Sequence, residues 1–292
     1  MIEIIKHKIE DIISLLENTG YFLINQQEKH EYKTFIKDDK SLLTELDLAS
    51  EILIKNELTS LFGNIKVLSE ENSQEENEAI ASEKYCFLLD PIDGTKNFDK
   101  GKDFTINLAF CVDKKPMIGF IHNPKQKTIL FGDTEQAFKR HNGKTTKIKK
   151  VEKISKYDLV ANGNQRPLKI AIGTHNFANK DFVKFLVTEV QQCGYNFTTY
   201  GLKAFSAMEK LLSFVNEEVD AFWTTSVCKD WDILPSLPIL EAINADYYTE
   251  NPTLFNNNNF NSGFFIVSRG EELLNDLIDI SKKSKNEFIN NL

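Results

Sequence analysis

The chain has 292 residues, enough for one large or two medium domains with a substantial core. Hydrophobic residues make up 41% and charged residues 27%, with 7 Pro and 13 Gly, which excludes a disordered or fibrous chain. Lys and Arg number 35 against 43 Asp and Glu, a formal charge of −8, so no nucleic-acid polymer is expected as a partner. A small phosphorylated ligand is still allowed, because a bound divalent cation supplies the positive field that the net charge lacks.

In chain order, Ile2, Ile5, Ile9, Ile12, Ile13 and Leu16 share one helical face, with Gly20 as the expected C-cap. Glu3, Glu10 and Asp11 are interspersed with these residues, and a signal peptide needs an uncharged apolar centre, so the segment is read as a packing helix. No apolar run reaches the ~20 residues of a membrane span. Lys37–Ser41 reads as a polar loop, Thr44 opens a second helix running to about Phe62, and Gly63 ends it. Short apolar runs at Ile65–Leu68 and Tyr85–Leu89 flank an acidic stretch, Glu70–Glu83, read as a mobile loop. Thr105–Val112 and Met117–His122 are joined by Asp113-Lys114-Lys115-Pro116 as a hairpin, Thr128–Phe131 adds a strand, and Asn142-Gly143 marks another turn.

From about Val151 strands and helices alternate. Leu168–Ile172, Tyr195–Tyr200, Asp220–Thr225 and Gly263–Val267 read as strands. Phe182–Cys193 and Phe205–Glu217 read as helices, and Ser268 with Glu271 is expected to form a capping box on a last helix carrying Leu273, Leu274, Leu277 and Ile278. The domain reading is therefore 1–155, an antiparallel sheet with two N-terminal helices, and 156–292, an α/β half, joined within 151–167. Cys86, Cys111, Cys193 and Cys228 show no CxxC spacing and no His at ligand spacing, so neither zinc nor a disulfide framework is expected and a reducing cytoplasm fits.

The sharpest feature is the string from Tyr85 to Phe98, in which a buried strand runs into Asp90-Pro91-Ile92-Asp93-Gly94-Thr95-Lys96-Asn97-Phe98. Pro91 stiffens the turn, so two carboxylates three residues apart converge as hard oxygen donors suited to Mg²⁺. Gly94 permits close backbone approach, and the amides of Gly94 and Thr95, if they open a helix, face a phosphate.

This string resembles the first signature of the magnesium-dependent, lithium-sensitive phosphatases of the inositol monophosphatase superfamily, which includes the bisphosphate nucleotidases. Trp231-Asp232 matches a second signature and Val67-Leu68-Ser69-Glu70-Glu71 a third, in the family's order from about Leu42 to Val267. The resemblance implies an α+β fold, a layered αβαβα sandwich of the inositol monophosphatase/fructose-1,6-bisphosphatase type. It implies two or three Mg²⁺ ions. Glu70, Asp90 and the Ile92 carbonyl would hold one, and Asp90, Asp93 and Asp232 another. Thr95 with Asp47 would orient the nucleophilic water, and Glu71 would act as base or orienter. Without the resemblance Asp47 reads as the partner of Thr44 in a capping box, Glu70 and Glu71 as solvated surface, and Asp232, beside Asp230, as a helix cap.

Within the superfamily the chain leans toward the branch that hydrolyses adenosine 3′,5′-bisphosphate. Lys96, the strand Phe104-Thr105-Ile106-Asn107-Leu108-Ala109, Asp230, and Lys210 ahead of Asp220 resemble that branch, and Thr225 stands where inositol enzymes place a Glu. Gly94, Thr95, Lys96 and Lys210 are the candidate substrate-binding residues, with Lys203 and His175 nearby in sequence. An inositol or other sugar phosphatase is the alternative enzyme, and a protein-binding member with a vestigial site the alternative of another class. A homodimer is compatible with the sequence but not specified by it. The chain departs from the family after Asp232, where small residues become Ile233-Leu234-Pro235 with Pro238 following, and Pro238 is expected to distort the helix.

Overall fold

The computed structural model describes residues 1–37, 41–160, 167–173, 180–199, 207–224, 228–254 and 260–285. After α1 (Ile2–His7), the helix α2 (Ile9–Lys29) does not stop at Gly20 but runs on to a left-handed C-cap at His30. Gly20 is a packing residue: a Cβ there would come within 2.5 Å of His122 Nε2 and 2.8 Å of Pro124 Cγ. The close approach of helix to sheet offsets the roughly 1 kcal/mol that a helical glycine costs.

A short antiparallel ribbon, β1 (Thr34–Ile36) and β2 (Leu42–Thr44), leads into α3 (Glu45–Phe62). Strand β3 (Lys66–Ser69) is followed by α4 (Gln74–Ala81), so the acidic stretch is not the loop its composition suggests. Two features order it. Ser73 Oγ accepts from Glu76 N at 3.2 Å as a cap, and the buried Asn77 carboxamide bonds both Ser69 N (3.1 Å) and Ser69 O (2.7 Å).

Next come β4 (Tyr85–Asp93), α5 (Thr95–Asp99), β5 (Thr105–Val112), β6 (Lys115–Asn123), β7 (Thr128–Asp133), β8 (Ala137–His141) and β9 (Lys144–Lys147). With β3 they form a seven-stranded sheet in sequence order, β3 parallel to β4 and every other pair antiparallel. Asp113 with Lys114, and Asn142 with Gly143, all have positive φ, the geometry of tight hairpin turns.

The second half runs α6 (Lys156–Val160), β10 (Leu168–Gly173), α7 (Lys180–Gln192), β11 (Phe197–Thr199), α8 (Ala207–Val215), β12 (Ala221–Thr224), β13 (Cys228–Lys229) and α9 (Asp230–Ile233). A 3₁₀ turn, Leu234–Ser236, then precedes α10 (Leu237–Ala242), β14 (Asp246–Thr249), β15 (Asn261–Gly263), β16 (Phe265–Ser268) and α11 (Glu271–Ser284). Five strands form the order β11-β10-β12-β16-β14, the first three parallel. Pro238 distorts the helix as its chemistry requires: the segment after Asp232 breaks, and Pro238 falls in the first turn of α10, where a missing N–H is harmless. The Ser268–Glu271 box does not form. The N-cap is Gly270, and the Ser268 hydroxyl is engaged by Gly270 N and O at 3.1 and 2.9 Å.

Three apolar clusters define the layers. Ile12, Leu16, Ile54 and Leu58 pack on Phe87, Leu89, Leu108 and Phe120, on one face of the large sheet. The other face, with Leu88, Ala109 and Ile121, meets Met208, Leu211, Ile233, Leu234 and Leu240, and these meet Phe222 and Phe265 of the small sheet. Beyond it, Ile170, Trp223 and Ile266 cover Phe182, Leu186, Leu274 and Leu277. The result is an αβαβα sandwich. The middle layer approaches closely because Ala109, Gly119, Gly132 and Ala137 stand in register across β5 to β8 and form a trough of small residues. A Cβ on Gly119 would lie 1.9 Å from the Pro235 carbonyl oxygen. Among the described residues no helix is long and apolar enough to cross a membrane.

His122 lies inside this packing, 3% exposed, with Nδ1 at 3.2 Å from the Thr128 carbonyl. A carbonyl only accepts, so Nδ1 carries the proton, and Nε2 faces Gly20 with no charge partner among the described residues. Burial lowers the imidazole to about 4. Unfolded His titrates near 6.5, so stability is fully present above that pH and falls as pH drops toward 4. The expected loss is about 3 kcal/mol. Denaturant melts of wild type and His122→Gln should diverge over that window, and parallel curves would remove His122 as the cause.

Candidate active site

The ends of four elements meet beyond the β3–β4 pair. Ser69 is in register with Leu89, and Glu70 N bonds Leu89 O at 3.2 Å, which sets Glu70 beside Asp90. The β4–β5 register is irregular between Asp90 and Asp93, so the chain turns there. Ile92 N donates to Asp90 Oδ1 at 3.1 Å, and Thr105 Oγ1 donates to Asp93 Oδ2 at 3.0 Å. Gly94 takes the left-handed conformation and α5 begins at Thr95. From the second half, α9 brings Asp232, whose Oδ2 accepts from Lys229 N at 2.7 Å as a cap.

One carboxylate oxygen each from Asp90, Asp93 and Asp232 lies within 4.8 Å of the others. Asp90 is 1% exposed, and Asp93 and Asp232 are partly exposed. Burial raises Asp90 well above the carboxylate range, with the charges of Glu70, Asp93, Asp232 and Asp47 adding to it. Burial raises Asp232 likewise, with Asp93 and Glu70 contributing. Several acids pressed together in a dry place are a poor arrangement by themselves and a fitting one for a hard cation.

Asp47 closes the capping box with Thr44 and also reaches Thr95. Its Oδ2 accepts from Thr44 N at 2.8 Å, and its Oδ1 accepts from Thr95 Oγ1 at 3.2 Å. Thr95 Oγ1 also lies 3.2 Å from the Ile92 carbonyl. Burial lifts Asp47 to about 6 despite the Thr44 hydrogen bonds. Glu71 is lifted to about 7 by burial and by Glu70, with Lys37 opposing. Lys96 is exposed on the first turn of α5.

Sequence reasoning passed over Lys37, whose Nζ bonds Glu70 Oε1 at 3.0 Å and Glu71 Oε1 at 2.8 Å. Burial lowers that ammonium, but the two glutamates outweigh burial and hold it above its ordinary value. It also passed over Gln27, which donates to Phe98 O (2.8 Å) and Lys102 O (3.0 Å) and so ties α5 and the loop after it to α2. Neither carries a local signal, since one sits in a charged loop and the other on a polar helix turn. Asp230 faces the interior, accepting from Ser262 Oγ at 2.7 Å. Lys210 falls within α8, its side chain outside the described residues, and Lys203, His175, Thr225 and the Asn256–Asn259 run also lie outside them. A cavity of about 710 Å³, lined by Lys153, Lys169, Glu217, Asp220 and Arg269 among others, includes none of the carboxylate group.

Several known proteins resemble this chain. Over 174 residues the chain is 28% identical to the 3′(2′),5′-bisphosphate nucleotidase CysQ of Haemophilus influenzae, a stretch covering 59% of this chain and 61% of that protein. It is 30% identical over 169 residues to inositol monophosphatase 3 of Solanum lycopersicum, covering 56% and 62%. The chain thus matches about three fifths of the length of these curated relatives. Among solved structures, a staphylococcal inositol monophosphatase-1, in a lithium-soaked inhibitory complex, superposes with a TM-score of 0.70 at 21% identity, covering 99% of this chain and 96% of that one. The fold is therefore that of the inositol monophosphatases. Since the sequence profile of the inositol monophosphatase family matches residues 10–284, nearly the whole length, the chain belongs to that family.

Proposed function

We propose that the chain is a divalent-cation-dependent phosphomonoesterase acting on a small phosphorylated substrate. The observation that carries this reading is the convergence of Asp90, Asp93 and Asp232 within 4.8 Å. Their all-oxygen donor set suits Mg²⁺, and Glu70 with the Ile92 carbonyl gives Asp90 the partners for a second ion. When bound, such cations neutralise phosphoryl charge and acidify water.

The protein's own groups do the rest. Thr95, with its hydrogen given to Asp47 Oδ1 at 3.2 Å, keeps its lone pairs for the hydrogen of an attacking water. Glu71, at about 7, is able to take up or release a proton near neutrality. Lys37 bridges Glu70 and Glu71 and offsets part of their mutual repulsion. Asn97 N and Phe98 N bond Gly94 O at 2.7 and 2.9 Å, so in this reading the amides of Gly94 and Thr95 ahead of them face the phosphate oxygens. Lys96 and Lys210 supply charge for a second phosphate.

Adenosine 3′,5′-bisphosphate is the substrate proposed, on the nucleotidase-like Lys96 and Phe104–Ala109 strand and on the CysQ relatives. Inositol or sugar monophosphates are the second reading, favoured by the match to the tomato protein. The cytoplasm is the compartment proposed, since Cys86, Cys111 and Cys228 are buried free thiols. The test is phosphate release with Mg²⁺ from adenosine 3′,5′-bisphosphate, inositol 1-phosphate and fructose 1,6-bisphosphate. The highest kcat/KM should fall on the nucleotide, Li⁺ should inhibit, and Asp93→Asn should abolish turnover. Release from none of the three would overturn the enzymatic reading in favour of a binding role.

A further inference from the structure

Asn107 sits in the middle of β5, fully buried, in register with Asp90 of β4 on one side and Ile121 of β6 on the other. Register partners share a face of the sheet. Its carboxamide therefore stands on the same face as the Asp90 carboxylate. Leu88, Ala109, Cys111 and Ile121, around it on that face, all belong to the apolar cluster that packs on α9 and its neighbours. Among the described residues neither Asn107 Oδ1 nor Nδ2 has a hydrogen-bond partner.

A buried donor and a buried acceptor left unpaired cost about 1–3 kcal/mol each, and an aliphatic side chain would match the surroundings better. Other polar groups of the centre are paired: Thr105 with Asp93, and Ile92 N with Asp90. What satisfies a carboxamide between a carboxylate and an apolar wall must both donate and accept, and water does both. A neutral amide is also the right group for this place. Lys or Arg would compete with a cation for Asp90, whereas Asn leaves the carboxylate its full charge.

Resting on the metal-dependent reading, we propose that Asn107 is a positioning residue of the carboxylate centre: its side chain holds a water shared with Asp90, which fixes that carboxylate in the orientation that receives a divalent cation. Partners of this kind behind a ligand typically change metal affinity 10–100-fold when removed.

The experiment is Mg²⁺ titration by calorimetry, with melting temperatures measured with and without Mg²⁺, on wild type, Asn107→Leu and Asn107→Ser. Asn107→Leu should melt at or above wild type without Mg²⁺, because an aliphatic side chain matches the apolar wall and immobilises no water, and should bind Mg²⁺ about 10–100-fold more weakly. Asn107→Ser, which keeps a donor, an acceptor and room for water, should recover most of that loss. Wild-type affinity in Asn107→Leu would overturn the inference and leave Asn107 a packing residue. Should that variant not fold, Asn107→Ala against Asn107→Ser decides: weaker binding in Ala alone supports the inference, and equal binding ends it. A wild-type protein that binds no Mg²⁺ removes the metal-dependent reading itself, and the inference with it.

Discussion

Asp90→Asn is expected to stabilise the metal-free protein while lowering turnover on the order of 10³-fold, the factor that several kcal/mol of lost charge stabilisation implies. The two effects have one cause. Asp90 is held well above its ordinary pKa by burial and by Glu70, Asp93, Asp232 and Asp47, so folding without a cation works against its ionisation. A raised folded pKa contributes stability at low pH and loses it as pH rises, so the metal-free protein should weaken as pH climbs from the ordinary carboxylate range. Asp47, at about 6, and Glu71, at about 7, extend that decline toward neutrality. Asparagine keeps the shape and the Oδ1 that accepts from Ile92 N, and removes one charge from the group. Melting curves against pH, with and without Mg²⁺, test this. A variant less stable than wild type without metal, or one with ordinary turnover, would show that Asp90 is not part of a strained carboxylate centre. His122 acts in the opposite sense, so each contribution is read as a difference from its own variant.

Gly119→Ala should cost at least about 3 kcal/mol, the upper part of the usual range for overpacking, and should weaken divalent-cation binding as well. The added Cβ would lie 1.9 Å from the Pro235 carbonyl oxygen, a backbone atom that no rotamer change can move. The 3₁₀ turn Leu234–Ser236 must then lift from β6, and Asp232, in the helix that runs directly into that turn, moves away from Asp90 and Asp93. Gly132→Ala provides the control. Its Cβ would meet the Gln136 carbonyl oxygen at 2.4 Å, in the β7–β8 connection, and β7 lies one strand farther than β6 from the β4 carboxylates. It should lose stability with cation affinity unchanged. Equal affinity in both variants would show that the trough of small residues does not set the place of Asp232.

The two predictions separate what is local from what is not. The Asp90–Phe98 string declares its chemistry in sequence, because a strand, a stiff turn and a helix start within a few residues place its own carboxylates. The capping box of Thr44 and Asp47 is likewise legible, as are the hairpins at Asp113–Lys114 and Asn142–Gly143, since each depends on near neighbours and backbone preference. Gly20 was misleading for the opposite reason. Its small size serves a contact with His122, a hundred residues away, and not a helix end. The acidic stretch after Glu70 was misleading too, because Asn77 and the burial of Ile80 and Ala81 order it through partners that composition does not reveal.

By itself, then, the sequence determined the αβαβα class, the strand-turn-helix that carries Asp90 and Asp93, and the helix start that carries Asp47. The last two follow from capping and turn chemistry read over short spans, and the αβαβα class from the family resemblance. Only the tertiary structure decided that Lys37 bridges Glu70 and Glu71 and that Asn107 shares a face with Asp90 without a partner among the described residues, and it brought Asp232, which the resemblance alone had grouped with Asp90 and Asp93, to within 4.8 Å of them. These depend on strand register and on how closely the middle helices settle on a trough of glycine and alanine. Such approaches are fixed by packing between distant segments, which no local pattern encodes.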